Sequence, residues 1–207
     1  MEELLKQIED LKNSNTRKII DARVKEFQEV GKEKQDRIFS ELCFCLMTAG
    51  FQAEKCIRIQ KQVGRGFNFL PEEQLAAALK EAGHRFWPQR AERIVAARSC
   101  SRELHDKIFK QDGKEMRIWL VDTVKGIGMK EASHFLRNIG YTDVAIIDFH
   151  ILDLLEKHHM VEKPKAITPK TYEEIENILE NLAKKANLNL SELDLYLWYI
   201  ETGKILK

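Results

Sequence analysis

The 207-residue chain is 43% hydrophobic and 32% charged, an ordinary composition for one globular domain or two small ones. Its 34 lysine and arginine residues nearly balance 33 aspartate and glutamate residues, so the formal net charge is +1. A chain this close to neutral lacks the positive bias of many nucleic-acid-binding proteins, and composition alone makes DNA a poor first expectation.

The cysteines and the N-terminal segment argue against several other classes. No C-x-x-C pair occurs among Cys43, Cys45, Cys56 and Cys100, so we expect no structural metal site, and scattered thiols suit a reducing cytoplasm. The N-terminal segment lacks a basic start and an apolar run, and no window approaches about 18 consecutive apolar residues. We therefore expect a cytoplasmic protein without a signal peptide or transmembrane segment.

Apolar residues recur at helical spacing almost throughout the chain, beginning with Leu4, Leu5, Ile8 and Leu11. Strict alternation of apolar and polar residues is rare, and the stretch 144–147 is apolar throughout, so a sheet has little support. The pattern predicts an all-α fold of about ten helices.

Prolines and capping residues predict several helix boundaries. Helix starts are expected at three places: Pro71 before 75–82, Pro88 before a run to about Arg102, and Thr168-Pro169 before a helix to Ala186. Ser191, with Asp194 three residues later, resembles a capping box before the last helix. The segments 62–70 and 161–168 are predicted breaks.

A local basic patch lies within this neutral chain. Between positions 85 and 102 only Glu92 opposes five arginines, which leaves a local charge of +4: Arg85, Arg90, Arg93, Arg98 and Arg102. The patch is either a surface for an anionic partner or a solvated helix face that is balanced elsewhere in the fold.

A glycine-rich turn lies between two helical segments at Val124–Gly128. Gly126 and Gly128 suit positive backbone angles or the close approach of another backbone. Unpaired amides at the start of the following helix would then form an anion site for a phosphate of a nucleic-acid backbone. As a bare G-x-G the turn is equally compatible with an ordinary connection between helices.

Two residues near this turn have the chemistry of covalent catalysis. Lys130 lies in the first turn of the following helix, where the positive end of the helix dipole favours the neutral amine that a nucleophile requires. Asp148, eighteen residues later, is placed to cap the next helix and to offer a carboxylate to the same cleft. The alternatives are a surface lysine and a purely structural N-cap.

The segments VKGIGMKEA and IIDFHI, with Lys130, Asp148 and His150 at the matching places, resemble the helix-hairpin-helix DNA glycosylases of the endonuclease III superfamily. GHRFWPQRAERIV and SELDLYLWYIETGK are similar to the archaeal-type branch of 8-oxoguanine DNA glycosylases. The resemblance extends from about Glu41 to the end of the sequence. It implies a two-lobed helical fold with the active site in the cleft between the lobes. One lobe would be 31–140, ending in the hairpin at about 114–140, and the other 1–30 with 141–207.

The resemblance also implies an activity. Lys130 would attack C1′ of the damaged nucleoside, expel 8-oxoguanine through a Schiff base and cleave the strand by β-elimination, with Asp148 activating the amine and stabilising the sugar cation. Duplex DNA that contains 8-oxoguanine is the implied partner, and a monomer is expected. No cofactor is required and no iron-sulfur cluster is expected, although carbonyls near 124–128 are candidates for a monovalent cation known in the superfamily.

The resemblance assigns further residues to the lesion and the DNA. Phe86 and Trp198 match positions that sandwich the extruded base, and Lys207 matches a terminal lysine used near the lesion. Gly126, Gly128 and Arg90 are the candidates for backbone contacts. Periodicity alone would instead place Trp198 in the core, and His134 and His150 are predicted to be satisfied core or cap histidines rather than ligands.

Two positions depart from the family pattern. Gly50 stands where relatives generally present Asn or Gln to fill the gap left by the extruded base. We expect Phe51 or Gln52 to act as the wedge instead, or opposite-base discrimination to be relaxed. Phe149 replaces an often basic or polar residue, so one phosphate contact is expected to be missing. A non-catalytic helix-hairpin-helix module and a glycosylase for another damaged base are the alternative functions.

Overall fold

The computed structural model describes all 207 residues and is built from helices without a strand. The first half holds α1 (Glu2–Lys12), α2 (Asn15–Gly31), α3 (Gln35–Thr48), α4 (Ala53–Val63), α5 (Gly66–Phe69), α6 (Glu72–Glu81), α7 (Trp87–Ala97), a 3-10 turn (Arg98–Cys100) and α8 (Ser101–Lys107). The second half holds α9 (Gly113–Thr123), α10 (Met129–Asn138), α11 (Phe149–Lys157), α12 (Pro169–Ala186) and α13 (Leu190–Thr202). The predicted all-α class is confirmed.

Several helix boundaries agree with the sequence, and others do not. Pro71 is the N-cap of α6, and α12 begins after the Thr168 cap and ends at Ala186 as predicted. The chain has thirteen α-helices rather than about ten, because short turns divide long apolar stretches. The predicted run from Pro88 to Arg102 is divided after α7 by the 3-10 turn, and the predicted break at 62–70 contains α5.

The capping box of α13 lies two residues before the predicted one. Asn189 Oδ1 accepts from the Glu192 amide at 3.0 Å, while Glu192 Oε2 accepts from the Asn189 amide at 2.9 Å. The prediction of Ser191 with Asp194 was wrong because α13 already begins at Leu190. Both predicted residues lie inside the helix, and Asp194 is free for another role.

The apolar side chains form two buried clusters. The first contains 30 residues between Ile38 and Val144 and surrounds α3, whose residues from Ile38 onward are buried except Ser40. The second contains 21 residues, from Leu4 to Phe27 and from Ala145 to Leu197. The chain passes from the first cluster to the second just before Asp148. No helix is both long and apolar enough to cross a membrane.

Candidate active site

In the turn between α9 and α10, only Gly126 has the positive backbone angle that the sequence suggested for both glycines, and a Cβ on Gly128 would make only an ordinary contact, 3.5 Å from Glu131 Oε2. Gly126 has a φ of +84°, which disfavours every side chain, and Arg93 packs so closely that an added Cβ would lie 2.5 Å from its Cδ. Gly128 is the N-cap of α10, in extended conformation. The amides of Gly128, Met129 and Lys130 donate to no acceptor within the protein. These free amides form a site for an anion at the positive end of α10.

The carbonyls of the same turn are also free. Lys125, Gly126 and Ile127 each have a carbonyl oxygen that accepts no backbone hydrogen bond, whereas the Val124 carbonyl accepts from the Ile127 amide at 3.3 Å. Carbonyl oxygens are hard ligands that suit hard cations. The turn therefore has the donor type for the monovalent cation that the family resemblance implies.

Lys130 is the second residue of α10. Its side chain is 26% exposed, and Nζ lies 3.6 Å from Glu131 Oε1, longer than a hydrogen bond. The amine therefore faces solvent at the start of α10 and is not held by a close ion pair. A substrate that approaches the hairpin can reach it.

Asp148 is the N-cap of α11, as the sequence predicted. Its Oδ1 accepts from the Ile151 amide at 3.0 Å, and the residue is half-buried. A cap uses one lone pair of a carboxylate that can accept about four hydrogen bonds. The structural role and a role toward a substrate are therefore compatible in Asp148.

Asp194 on α13 is a third ionisable residue whose pKa is affected by both Lys130 and Asp148. Burial raises the pKa of Asp194 to about 6, Arg137 and Lys130 oppose that rise, and the Asp148 carboxylate adds to it. The Asp194 Oδ2 atom lies 3.6 Å from Arg137 Nη2. Arg137 joins α10 to α13 through Asp194, and the His150 ring of α11 packs on Trp198 of α13, so the helices that begin near Lys130 and Asp148 both contact α13. The sequence gives no sign of this role, because the spacing of Asp194 from Ser191 suggests only a helix cap.

Phe86 lies in a turn that packs against the end of α3. The His84 ring is fixed on both sides: Nδ1 accepts from the Phe86 amide at 3.1 Å, so Nε2 donates to the Met47 carbonyl at 3.0 Å. The guanidinium carbons of Arg85 and Arg90 lie 5.2 and 5.6 Å from the centre of the Phe86 ring. The half-buried ring is therefore held in place by its neighbours and does not rotate freely.

Arg90 does not fit its predicted contact with the DNA backbone. It is only 5% exposed, and its Nη2 donates to the Ala49 carbonyl at 2.5 Å. A buried guanidinium that caps a carbonyl and packs on Phe86 has little surface to offer a phosphate. The structure assigns Arg90 to holding the Ala49 turn and Phe86 in place.

The arginine patch as a whole is also divided. Arg98 donates to the carbonyls of Phe67 and Leu70 at 2.8 Å each, and Arg93 packs on the hairpin. Only two of the five arginines are exposed, Arg85 and Arg102. The sequence shows the number of charges in the patch but not which arginines form hydrogen bonds or contacts within the protein.

Trp198 is half-buried on α13, and its indole Nε1 is buried without a hydrogen-bond partner. The His150 ring meets it edge-on with centroids 5.0 Å apart, and the exposed Phe149 ring packs on His150 at 4.0 Å. Trp198 and Phe86 are not in contact with each other.

Lys207 occupies a polar socket that the sequence did not reveal. Its ammonium lies 2.9 Å from both oxygens of the buried Glu41, contacts Gln60 Oε1 and lies 4.2 Å from the centre of the Phe44 ring. Glu41 also accepts from Asn138, at 2.9 Å. Burial raises the pKa of Glu41, but Lys207, Arg37 and Gln60 together lower it by more, so the net pKa shift is downward. A glutamate on an apolar face of α3 gave no signal of this pairing.

His134 lies one helical turn after Lys130 and is 6% exposed. Its ring meets Phe44 edge-on at 5.5 Å, and neither ring nitrogen has a partner. Burial lowers the pKa of His134 well below its ordinary value, so the ring is neutral. The prediction of a core histidine is confirmed for its burial, and the ring lies beside the Lys207 backbone, a contact that opposes the fall in its pKa.

The three wedge-region residues have different environments. Gly50 has a φ of +71°, and an added Cβ there would meet only the Phe86 ring, at 3.8 Å. Phe51 is half-buried and packs on His84 with centroids 4.4 Å apart. Gln52 is exposed at the N-cap of α4 and makes no side-chain capping bond. Gln52 is thus the freer of the two wedge candidates.

Comparison with known proteins places the chain in a family. The model of the family described as 8-oxoguanine DNA glycosylase matches residues 20–188. The 8-oxoguanine DNA glycosylase/AP lyase of Methanocaldococcus jannaschii is 52% identical over 206 residues, which cover 99% of each chain. The protein of the same name from Korarchaeum cryptofilum is 50% identical and covers 100% of this chain and 99% of the relative.

Solved structures of the same family are similar to this one. The M. jannaschii 8-oxoguanine glycosylase/lyase in complex with 15mer DNA containing 8-oxoguanine superposes with a TM-score of 0.95, at 51% identity and 99% coverage of both chains. The 8-oxoguanine DNA glycosylase of Thermotoga maritima superposes with a TM-score of 0.94 at 43% identity, covering 100% of this chain and 99% of that one.

An all-helical fold with a glycine hairpin, followed by a lysine and a helix-capping aspartate, defines a helix-hairpin-helix DNA glycosylase. Within that class, the chain belongs to the 8-oxoguanine DNA glycosylase family, whose model covers more than half of it.

Proposed function

We propose that this protein is a bifunctional DNA glycosylase and abasic-site lyase that excises 8-oxoguanine from duplex DNA. The observation that carries the proposal is the position of Lys130 and Asp148, at the starts of two consecutive helices, in a chain similar over its whole length to 8-oxoguanine DNA glycosylase/AP lyases. An enzyme of this type acts where the chromosome is, so we place it in the cytoplasm at the nucleoid.

The first chemical step uses the Lys130 amine. In its neutral form it attacks C1′ of the damaged nucleoside, the bond from C1′ to the base breaks, and the base leaves with the bonding electrons and takes up a proton. Asp148 receives the proton lost from Nζ, and its charge stabilises the positive charge that develops on the sugar. Opening of the sugar ring then converts the adduct into a Schiff base.

The second step cleaves the strand. The Schiff base withdraws electrons from the sugar, so water can take a proton from C2′. The bond from C3′ to its phosphate oxygen then breaks, and its electron pair leaves with the phosphate. Water then hydrolyses the imine and regenerates the Lys130 amine. These steps need an amine, a carboxylate and water, and we propose that no redox or metal cofactor takes part in them.

The lesion must leave the base stack before C1′ can be reached. We propose that Phe86 and Trp198 stack on the extruded base and that Lys207 lies beside it. Both rings are half-buried and therefore present part of their surface to solvent, and aromatic stacking contributes about 1–3 kcal/mol per base. The Lys207 ammonium is held by the buried Glu41 carboxylate, so Lys207 would have a fixed position beside the base.

The hairpin holds the DNA backbone in this proposal. The free amides at the start of α10 bind a phosphate, and the carbonyls of 125–127 are where a monovalent cation would bind beside it. Gln52 is the preferred wedge because it is exposed and free of capping bonds. We propose that the reaction occurs in a cleft between lobes 31–140 and 1–30 with 141–207, a division supported by the two buried clusters.

Borohydride trapping on duplex DNA containing 8-oxoguanine tests the function. The wild type should form a reduced covalent complex, and Lys130→Gln should form none. Lys107→Gln is the matched control, because Lys107 is 33% exposed and lies 3.7 Å from Glu103, much as Lys130 lies near Glu131. The control should trap as the wild type does.

The same assay separates the alternatives. A non-catalytic module would bind the duplex without trapping it. A glycosylase for another damaged base would trap DNA with an oxidised pyrimidine, or with adenine opposite the lesion, in preference to 8-oxoguanine. Trapping by Lys130→Gln at the wild-type level would show that another amine is the nucleophile.

A further inference from the structure

The segment that leads to Asp148 has no regular secondary structure. Residues 141–148 run between α10 and α11 outside any helix, and 144–147 are buried. The amide of Ala145, its carbonyl and the amide of Ile147 have no backbone partner. Buried backbone groups of this kind require partners from elsewhere, because leaving them unpaired is costly.

Two side chains of α12 supply these partners. Tyr172 Oη donates to the Ala145 carbonyl at 2.8 Å and accepts from the Ile147 amide at 3.2 Å. Glu176, one turn later, accepts from the Ala145 amide at 2.7 Å. The position of Asp148 is therefore determined by α12 and not by a neighbouring strand.

Tyr172 also reaches the helix that carries Lys130. Its Oη lies 3.3 Å from Oγ of Ser133, three residues after Lys130 on α10. Because the phenol has one proton, which goes to the Ala145 carbonyl, the Ser133 hydroxyl is the donor in this contact. Ser133 Oγ accepts in turn from Arg117 Nη1 at 3.2 Å, so its own proton is available for Tyr172.

Glu176 and Arg117 secure this arrangement from the other side. Their side chains form two parallel bonds of 2.6 and 2.7 Å and are 1% and 2% exposed. Such a paired fork fixes both side chains in one geometry. Tyr172 is likewise 2% exposed, so its hydroxyl has no competing contact with solvent.

We propose that Tyr172 is a positioning residue that sets the relative placement of Lys130 and Asp148, by bonding one hydroxyl to α10 and to the segment that ends at Asp148. The inference rests on the proposed function, in which both residues act on one sugar. No other side chain bonds to both elements. Tyr172 itself lies within the protein and does not touch the substrate.

The physical basis is geometric. Without the hydroxyl, the Ala145 carbonyl and the Ile147 amide lose their partners, and only the Ala145 amide stays bonded, to Glu176. The segment can then move relative to α10. Reacting groups must lie within a few tenths of an ångström of their productive positions, and a shift of about 1 Å can slow a reaction about 100-fold. Binding of the duplex, which depends on the hairpin, should be unaffected.

Tyr172→Phe tests this inference, because it keeps the ring and removes only the hydroxyl. We expect the single-turnover rate of 8-oxoguanine excision at saturating enzyme to fall roughly 10- to 100-fold, with unchanged affinity for the duplex. Borohydride trapping on DNA with a preformed abasic site should fall much less. Lys130 alone can condense with that aldehyde, whereas base release needs Asp148 in place. A general loss of structure would reduce both reactions equally.

Tyr141→Phe is the matched control. Tyr141 is also buried, and its hydroxyl accepts one backbone hydrogen bond, from the Phe109 amide at 2.8 Å. Although Tyr141 begins the same segment and its backbone amide donates to Leu136, its hydroxyl bonds neither to α10 nor to the residues next to Asp148. Its excision rate should equal that of the wild type below the melting temperature. Ser133→Ala removes the α10 side of the bridge and also the 3.2 Å bond from Arg117 Nη1, which keeps its bond to Glu176. It should show the same selective loss to a smaller degree, and it decides the question if Tyr172→Phe does not fold.

The inference is overturned if Tyr172→Phe or Ser133→Ala excises the base at the wild-type rate while folded. Equal losses of excision and of trapping at an abasic site overturn it as well. If the wild type neither excises nor traps, the proposed function fails instead, so the two failures are distinguishable.

Discussion

Replacement of Glu41 by glutamine tests how the structure holds Lys207. The Glu41 carboxylate accepts from the Lys207 ammonium, the Asn138 amide and Arg37, at distances of 2.9–3.1 Å, and from Gln60 Nε2 at 3.2 Å. Glutamine keeps the shape of the side chain but removes its charge and exchanges one acceptor for a donor. The ammonium would then face a neutral amide.

The size of the effect follows from burial. Removing one partner of a buried ion pair typically costs about 3–5 kcal/mol, because the other charge is left uncompensated. Lys207 keeps 15% side-chain exposure and lines a groove of about 610 Å³, so its ammonium can turn toward water. We therefore expect Glu41→Gln to lower the free energy of unfolding by about 2–3 kcal/mol at pH 7.

The pH dependence has a definite sign. The folded state holds the pKa of Glu41 below its ordinary value of 4.5. The Glu41 charge therefore stabilises the fold above pH 4.5, and this stabilisation is lost as the pH falls through the pKa of Glu41 in the folded protein. The difference between wild type and Glu41→Gln should therefore shrink in acid.

Urea unfolding at pH 7 and at acidic pH measures this difference, and single-turnover excision measures its effect on the lesion pocket. Excision by Glu41→Gln should slow, because Lys207 is no longer fixed. The control is Glu29→Gln, which breaks an exposed pair with Lys32 and should change neither measurement. Equal stability of Glu41→Gln and wild type at pH 7, or a difference that persists unchanged in acid, would show that the Glu41 charge does not hold Lys207.

Three further predictions concern catalysis and DNA binding. Asp148→Asn should slow base release strongly, while its free energy of unfolding stays within about 1 kcal/mol of the wild type, because asparagine also caps a helix. Single-turnover kinetics and thermal melts check this prediction, and a large loss of stability would contradict it. Gly126→Ala should weaken duplex binding measured by fluorescence anisotropy, because alanine disfavours a φ of +84° and collides with Arg93; unchanged affinity would count against the hairpin as the phosphate site. Gln52→Ala should reduce extrusion of the base more than Phe51→Ala does, as followed with a fluorescent base analogue. The reverse order would show that Phe51 is the wedge.

The sequence predicted the parts of this site that depend on local signals. Gly126 and Gly128 between two helical patterns indicated the hairpin, and the structure shows the positive φ and the free amides that follow from it. Lys130 in the first turn of α10 and Asp148 as the cap of α11 are also local features and were placed correctly. Their catalytic roles remain predictions.

The sequence could not predict contacts between distant elements. Glu41 and Lys207 are 166 positions apart, and nothing in the neighbourhood of either residue shows the pairing. Tyr172 looks like an ordinary core residue of α12 until the structure places its hydroxyl beside Ala145. The burial of Arg90 was not predictable either, because a run of arginines shows charge but not which side chains turn inward.

The net charge of +1 is compatible with DNA binding. Because the hairpin offers free amides at the start of a helix, the protein can bind a phosphate without a strongly basic surface. Only Arg85 and Arg102 remain exposed in the arginine patch, which fits a compact grip on the backbone rather than a broad charged face.

The decisive question for the proposed chemistry is which amine forms the covalent adduct. Wild-type protein is reacted with duplex DNA containing 8-oxoguanine, reduced with borohydride and digested, and the modified peptide is sequenced by mass spectrometry. We expect the sugar fragment to be attached to Nζ of Lys130. Attachment to another lysine or to the N-terminal amine, or no adduct at all, would contradict the covalent role of Lys130.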